Sequence, residues 1–197
     1  MNMILASTSI YRKNLLASTG LSFQSVSPLL DEESEKARLI SDRLTPLQMA
    51  QKLAFLKGSS LLSAHPAATI ISADQIVSLN GHILGKTQNL NQALEQLLQL
   101  NYKTHELITS VCLWHEGLVY QHTDISRLTM KELTRQELAN YIQLDQTMDC
   151  AGSYKIESRG LALFASIQCE DFSAIQGLPM IWLTNKLKEL GYEFFKS

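Results

Sequence analysis

The sequence predicts an α/β protein built on a mixed β-sheet. Short apolar segments alternate along the chain with segments that begin at helix-capping residues, which is typical of intermixed strands and helices. Two pairs of apolar segments are joined by tight turns, Asn80-Gly81 and Glu116-Gly117, and such hairpins place antiparallel neighbours in the sheet. A mixed sheet therefore fits better than a strictly parallel one.

Capping residues and glycines delimit the elements of the first half. Ser9 can cap a first helix that Gly20 ends, and Thr45 with Gln48 forms a capping box around Pro46. The expected order is a strand at residues 3–6, a helix at 10–18, a strand at 22–27, a charged loop at 31–36 and a helix at 46–64.

The second half follows the same logic. Thr134 and Glu137 form another capping box, and Gly177 and Gly191 bound the last helix. The expected order is strands at residues 69–79 and 82–85, a helix at 90–100, strands at 105–114 and 118–130, a helix to about residue 144, a polar loop or short strand at 150–160, and the final helix.

Length and composition limit the classes of protein. The 197 residues suit a single domain over residues 1–197, and 45% hydrophobic with 18% charged residues is globular composition. A net charge of −2 does not favour a nucleic-acid partner. No apolar run approaches the roughly 18 residues of a membrane helix, and the first residues carry no basic leader. With three widely spaced cysteines that suit reduced thiols, we expect a cytoplasmic protein without membrane contact.

Several common catalytic patterns are missing. The chain has no His-Glu-x-x-His zinc motif and no Gly-x-Ser-x-Gly elbow. Residues 81–87 read GHILGKT, one residue short of a P-loop, but the leading glycine falls in the predicted hairpin turn. A P-loop is therefore disfavoured, and Lys86 remains as a cation just after a hairpin.

The start of the first helix is a candidate anion site. Ser7 and Ser9 precede Arg12 and Lys13, and a helix N-terminus offers unpaired N–H groups with partial positive charge. Ser9, Arg12 and Lys13 share one helical face. A capped surface helix with solvated charges is the alternative interpretation.

A second candidate site surrounds Asp74. This carboxylate lies in the apolar run IISADQIV, where it needs a cation, a metal ion or backbone donors. Glu32 could add a second carboxylate for Mg²⁺ or Mn²⁺, and Lys57 and Lys86 could bind phosphates. A strand-end aspartate satisfied by the backbone, with surface lysines and a solvated acidic loop, is again the alternative. Likewise, residues 152–157 either let Glu157 face a ligand or form an ordinary turn.

Taken in order, these segments resemble the Maf family of nucleoside triphosphate pyrophosphatases nearly from end to end. The resemblance rests on ILASTSIYRKNLL, the Asp31-Glu32 pair, Leu53-Ala54-x-x-Lys57, SADQIV followed by NGHILGKT, CAGSYKIE, and GLP. It implies an inosine-triphosphatase-like fold, with an elongated mixed sheet, flanking helices and a cleft between two lobes. It also implies hydrolysis of a nucleoside triphosphate to a monophosphate and pyrophosphate with a divalent cation.

The resemblance also implies the role of each matching residue. Catalysis is assigned to Asp74, Lys57 and Lys86, and metal binding to Glu32 with Asp74. Phosphate binding is assigned to Ser7, Ser9, Arg12 and Lys13. A homodimer is compatible with the family.

Three positions indicate a branch of that family. Tyr11, Gln75 and Glu157 resemble the branch that hydrolyses 7-methyl-GTP rather than the one that acts on dTTP and UTP. The choice suits a cationic base, which an aromatic ring and a carboxylate would attract while Gln75 reads its edge with a donor and an acceptor. The alternatives are a pyrophosphatase for dTTP, UTP or other nucleotides, a non-catalytic nucleotide-binding regulator of cell division, and a nucleic-acid-binding module.

Overall fold

The computed structural model describes residues 2–195, apart from the side chain at position 149, and has the predicted mixed α/β fold. Its strands are β1 Met3–Ala6, β2 Gln24–Val26, β3 Thr69–Leu79, β4 His82–Leu84, β5 Thr104–His115, β6 Leu118–Met130 and β7 Phe164–Gln168. Its α-helices are α1 Ile10–Ala17, α2 Glu32–Ser41, α3 Pro46–Ser59, α4 Leu90–Leu100, α5 Arg135–Asp145, α6 Phe172–Ile175 and α7 Met180–Glu189. Short 3-10 segments lie between α5 and β7.

The strands of the described residues form one sheet in the order β2-β1-β3-β5-β6-β7, with β4 on β3. β1 is parallel to both β2 and β3, whereas β4 is antiparallel to β3 and β7 is antiparallel to β6. Parallel and antiparallel pairs thus occur together, which confirms the prediction of a mixed sheet.

The two predicted hairpins have the backbone that their turn residues favour. Asn80 and Gly81 have φ of 51° and 83°, and Glu116 and Gly117 have φ of 47° and 79°. Two successive positive φ values are those of a type I′ turn, whose twist matches that of paired strands.

Five parts of the chain differ from the prediction. Residues 31–36 are not a loop, because Asp31 caps α2 and the acidic first turn suits the positive end of that helix. The helix expected at 46–64 ends at Ser59, and 3-10 turns occupy much of 150–160. Strand β7 and the short helix α6 were not predicted.

The chain divides into two compact units, and the first comprises residues 1–75, 109–124 and 171–197. In this unit, alternate residues of the central strands enter two apolar clusters. Leu5 and Ile71 pack with helix α7, whereas Ile4 and Ile70 pack with Ala54 of α3. A strand buried on both faces reads as a continuous apolar run, which is the reason that β1 has no polar residue.

The second unit comprises residues 76–108 and 125–170. Helix α4 buries Ala93, Leu97 and Leu100 at helical spacing and packs against α5 and the segment Ala151–Ser153. His105 is also buried here, with its Nε2 2.9 Å from the Tyr154 hydroxyl and its ring against those of Tyr154 and Phe164.

His105 makes the stability of the protein depend on pH. Burial lowers the pKa of His105 from 6.5 to about 4. Between these two pH values His105 is protonated in the unfolded chain but stays neutral in the folded protein. We expect the free energy of unfolding to fall as the pH drops from about 6.5 to about 4, by on the order of 3 kcal/mol. Urea unfolding across this range should show a shallower decline for His105→Gln, and equal slopes would contradict this assignment.

Candidate active site

The ammonium of Lys57 joins two carboxylates in the first unit. Its Nζ lies 2.6 Å from Asp74 Oδ1 and 2.8 Å from Glu32 Oε2. The side chains of Lys57 and Asp74 are only 8% and 5% exposed, whereas that of Glu32 is 40% exposed. A buried lysine and a buried aspartate therefore meet at a half-open acidic residue.

Three elements place these groups. Lys57 lies in the last turn of α3, whose start is fixed by the Thr45–Gln48 capping box. Asp74 lies on the face of β3 that packs on α3, as does Ser72, whose hydroxyl donates to the Ala54 carbonyl at 2.7 Å. Glu32 begins α2, and α2 packs against α3. The alternative interpretation, in which backbone donors satisfy a strand-end Asp74, does not hold for Oδ1, because this oxygen accepts a hydrogen bond from Lys57 Nζ.

Lysine charges control the ionisation of Glu32. Burial raises the pKa of Glu32, but the positive charges of Lys57 and Lys36 together have the larger effect and lower the pKa from 4.5 to about 2. Glu32 is therefore ionised at neutral pH. Lys36 completes this arrangement with its Nζ 2.6 Å from Glu32 Oε1.

Lys36 was missed by the sequence analysis. The sequence predicts a loop at residues 31–36, and in a loop the spacing of four residues between Glu32 and Lys36 does not bring the two side chains together. The signal was present, since Asp31 followed by three glutamates within four residues and a later arginine is a helix-start pattern.

Arg12 lies beside the same carboxylates. Burial lowers the pKa of Arg12, and the negative charges of Asp74 and Glu32 oppose that shift. Its Nε donates to the Gly177 carbonyl at 2.8 Å, which leaves the terminal nitrogens of the guanidinium for other acceptors. The negative charges of the acidic pair therefore act on Arg12 in the folded protein.

The serine residues before α1 organise the predicted anion site. Ser9 caps the helix, with its Oγ 3.5 Å from the Arg12 N–H, and Ser7 Oγ accepts from the Ser9 N–H at 3.2 Å. Ser7 is buried, and Ser9, Tyr11 and Lys13 are partly buried. Phosphate binding by this segment stays a prediction.

Gln75 follows Asp74 in β3, but its side chain meets different elements. Its Nε2 donates to the carbonyls of Ala174 and Ile175 at 2.9 and 3.0 Å and to Thr109 Oγ1 at 2.9 Å. Both amide protons therefore have protein acceptors. The sequence predicts that Gln75 reads the base edge with a donor and an acceptor, and of these the acceptor atom Oε1 remains for this role.

Lys86 and Glu157 belong to the second unit, and both are exposed there. Lys86 follows the β4 strand, and Glu157 follows the buried Ile156 in the turn before the segment Arg159–Leu163. Their parts in catalysis and base selection stay predictions.

Close packing against Trp114 explains why position 58 is a glycine. A Cβ at this position would lie 2.3 Å from Trp114 Nε1 and 2.6 Å from Ser72 Oγ. The indole of Trp114 therefore fills the space that an alanine methyl group would need next to Lys57.

The acidic residues fit a divalent cation. Asp74 Oδ2 is buried and has no hydrogen-bond partner among the described residues, and Glu32 supplies a second carboxylate on the other side of the Lys57 ammonium. Oxygen ligands of this type suit Mg²⁺ or Mn²⁺. No group of three or more His, Cys, Asp or Glu side chains with metal-binding geometry occurs in the part of the chain that the structure describes.

Comparison with known proteins identifies the class. The family model described as "Maf-like protein" matches residues 2–190. A protein of Bdellovibrio bacteriovorus named 7-methyl-GTP pyrophosphatase is 46% identical over 92% of this chain and 93% of its own length. A Xanthomonas axonopodis protein of the same name is 34% identical over 97% of both chains, and a Pelagibacter ubique protein named nucleoside triphosphate pyrophosphatase is 35% identical over 95% of both.

A mixed sheet that carries a buried lysine–carboxylate cluster beside an arginine defines a candidate site for a polyanionic ligand. The chain belongs to the Maf family. The family prediction is thus confirmed, and with it the prediction that the chain is an enzyme. Among the described helices, none combines the length and the apolar character needed to cross a bilayer.

Proposed function

We propose that the protein is a pyrophosphatase that hydrolyses 7-methyl-GTP to 7-methyl-GMP and pyrophosphate. The observation that carries the chemistry is the cluster of Lys57, Asp74 and Glu32, whose two carboxylates also act electrostatically on Arg12. The relatives named 7-methyl-GTP pyrophosphatase support the substrate.

In the proposed reaction, water attacks the α-phosphorus of the nucleotide. The new P–O bond forms as the bond from the α-phosphorus to the bridging oxygen breaks, and pyrophosphate leaves with that oxygen. Asp74 accepts the proton of the water at Oδ2, because Oδ1 is already bonded to Lys57. Lys57 keeps Asp74 in position through its hydrogen bond to Oδ1.

Positive groups hold the triphosphate and offset the charge that develops in the transition state. We assign this role to Arg12, Lys13, Lys57 and Lys86, with hydrogen bonds from Ser7 and Ser9. Glu32 and Asp74 would hold a Mg²⁺ or Mn²⁺ ion, with Asp74 using an oxygen lone pair other than the one that accepts the proton of the water. When bound, the ion would supply further neutralisation of the phosphate oxygens.

Selection of the base follows from its charge. 7-Methylguanine is cationic, so the carboxylate of Glu157 would attract it and the ring of Tyr11 would stack on it. Gln75 Oε1 would accept a hydrogen bond from an N–H group of the base, since Nε2 is bonded to the protein.

Release of pyrophosphate over a nucleotide panel, with Mg²⁺ or Mn²⁺, tests the function. We expect 7-methyl-GTP to have the highest kcat/KM. A preference for dTTP or UTP would place the protein in the other branch of its family, and absence of turnover on every nucleotide would overturn the proposal.

The variant Glu157→Gln tests how the protein selects the nucleobase. Loss of this exposed charge should reduce the preference for 7-methyl-GTP over GTP by about 1 kcal/mol, or roughly fivefold. Glu132→Gln removes another exposed carboxylate of the second unit and serves as the control. An unchanged ratio of the two kcat/KM values in Glu157→Gln would contradict the assignment.

A further inference from the structure

Backbone carbonyls around α6 anchor two of the proposed nucleotide-binding side chains. Gln75 Nε2 donates to the carbonyls of Ala174 and Ile175, and Arg12 Nε donates to the Gly177 carbonyl. Thr109 Oγ1 also donates to the Ala174 carbonyl at 2.8 Å. All of these residues belong to the first unit. The orientation of Arg12 and of Gln75 therefore depends on where this segment lies.

Asp171 fixes the segment at both of its ends. Its Oδ1 accepts hydrogen bonds from the N–H and the hydroxyl of Ser173, at the start of α6. Its Oδ2 accepts from the Ile181 N–H at 2.6 Å, in the first turn of α7. Ser173 Oγ in turn accepts from the Met180 N–H at 2.8 Å. One buried carboxylate, 6% exposed, thus closes the loop from residue 171 to residue 181.

The loop lies against Arg12 too closely to shift without moving it. Gly177 has a φ of +106°, and a Cβ at this position would lie 3.1 Å from Arg12 Nε. The glycine backbone therefore brings its carbonyl directly to the guanidinium. Displacement of residues 174–177 would move the acceptors of Arg12 and Gln75 together.

We propose that Asp171 is a positioning residue for the nucleotide site, which holds the loop carbonyls that orient Arg12 toward the phosphates and Gln75 toward the base. This role rests on the proposed function of Arg12 and Gln75. Asp171 itself acts only through the loop, because its two oxygens are both occupied by groups of residues 173 and 181.

Asp171→Asn is the most conservative test. The amide keeps the size of the side chain but replaces one of the two acceptor oxygens with a donor, so it cannot accept from both ends of the loop. We expect kcat/KM for 7-methyl-GTP to fall by about 10- to 100-fold, mainly through a higher KM, since small misplacements of binding groups have effects of this size.

Thr134→Ala is the matched control. Thr134 caps α5 in the second unit, whereas Arg12, Gln75 and the loop belong to the first, and loss of this cap costs helix stability. Its kcat and KM should stay at the wild-type values. If Asp171→Asn lowers kcat/KM no more than Thr134→Ala does, Asp171 has only a structural role and the proposal is overturned.

A second readout needs no nucleotide. The Arg12 Nε–H proton, observed by NMR of nitrogen-15-labelled protein, should exchange with solvent faster in Asp171→Asn than in the wild type and in Thr134→Ala. Ser173→Ala, which removes the hydroxyl between Asp171 and Met180, should change exchange and KM in the same direction by a smaller amount. Unchanged exchange in both variants overturns the proposal even if activity falls.

These measurements separate the two proposals. A wild-type protein that releases no pyrophosphate from any nucleotide overturns the proposed function. An active wild type whose Asp171→Asn variant behaves like Thr134→Ala overturns only the positioning role. In the background of Gln75→Ala, the substitution Asp171→Asn should lower kcat/KM by a smaller factor than it does in the wild type. The reason is that one of the two side chains positioned by Asp171 is already missing.

Discussion

Asp74→Asn should lower kcat by about 10²–10⁴-fold, the usual contribution of a general base, while the protein stays folded. The amide cannot accept the proton of the attacking water at the position of Oδ2. The fold should tolerate the change because Lys57 keeps Glu32 as its ionic partner. Steady-state kinetics with 7-methyl-GTP give the comparison.

Asp145→Asn is the control for this variant. Asp145 is a buried carboxylate of the second unit that accepts from Arg159 Nη1 at 2.7 Å and from the Arg159 N–H. Its replacement should reduce stability and leave kcat close to that of the wild type. A kcat near the wild-type value in Asp74→Asn would remove Asp74 from the role of base.

Lys57→Met should destabilise the protein by roughly 3–5 kcal/mol at neutral pH, as expected when one partner of a buried ion pair is removed. The Asp74 carboxyl group would be left buried without its cation, and Glu32 would lose one of its two lysines. The free energy of unfolding, measured in urea, gives the size of the loss.

A comparison of Lys57 with Lys36 separates the effect of burial on stability from the effect of charge. Both lysines contact Glu32, but the side chain of Lys36 is 36% exposed and that of Lys57 is 8% exposed. Lys36→Met should therefore cost less than about 1 kcal/mol. The double variant Lys57→Met with Asp74→Asn should recover part of the stability. Equal losses in the two single lysine variants would show that the buried pair is not the main contributor.

The pH dependence of Lys57→Met has a definite sign. Lys57 contributes to the lowering of the pKa of Glu32 to about 2, so the wild type gains stability from this group above about pH 4.5 and loses it as the pH falls toward 2. Without the ammonium, the pKa of Glu32 in the folded protein is lowered less. The folded state then binds more protons, so the deficit of the variant should shrink as the pH falls. A deficit that grows with acid would contradict this account.

Elements with local signals were predicted well from the sequence. The Thr45–Gln48 and Thr134–Glu137 capping boxes and the Asn80-Gly81 turn depend on residues three or fewer positions apart, so their chemistry is visible in the sequence. The buried position of Asp74 was also visible, because a carboxylate within an apolar run needs a partner.

Other features depend on tertiary contacts. That Lys57, on a separate helix, supplies the partner of Asp74 follows from the packing of α3 on β3, which no local pattern specifies. The three acceptors of the Gln75 amide come from Thr109 and from residues about 100 positions away, which is why its donor was expected to be free. The edge strand β7 is short and largely exposed, so it carries little apolar signal.

The prediction of α2 failed for a different reason. Its residues are mostly polar and only Leu39 is buried, so hydrophobic periodicity gives almost no signal. Its charges stabilise it instead, through the Lys36–Glu32 and Arg38–Glu35 pairs and the Asp31 cap. The homodimer, the cytoplasmic location and the metal stay predictions of the sequence.

Hydrolysis of 7-methyl-GTP in water labelled with heavy oxygen tests the central claim most directly, by mass spectrometry of both products. Attack of water at the α-phosphorus beside Asp74 places one labelled oxygen in 7-methyl-GMP and none in pyrophosphate. Label in pyrophosphate, or release of orthophosphate as the first product, would contradict the proposed reaction at this site.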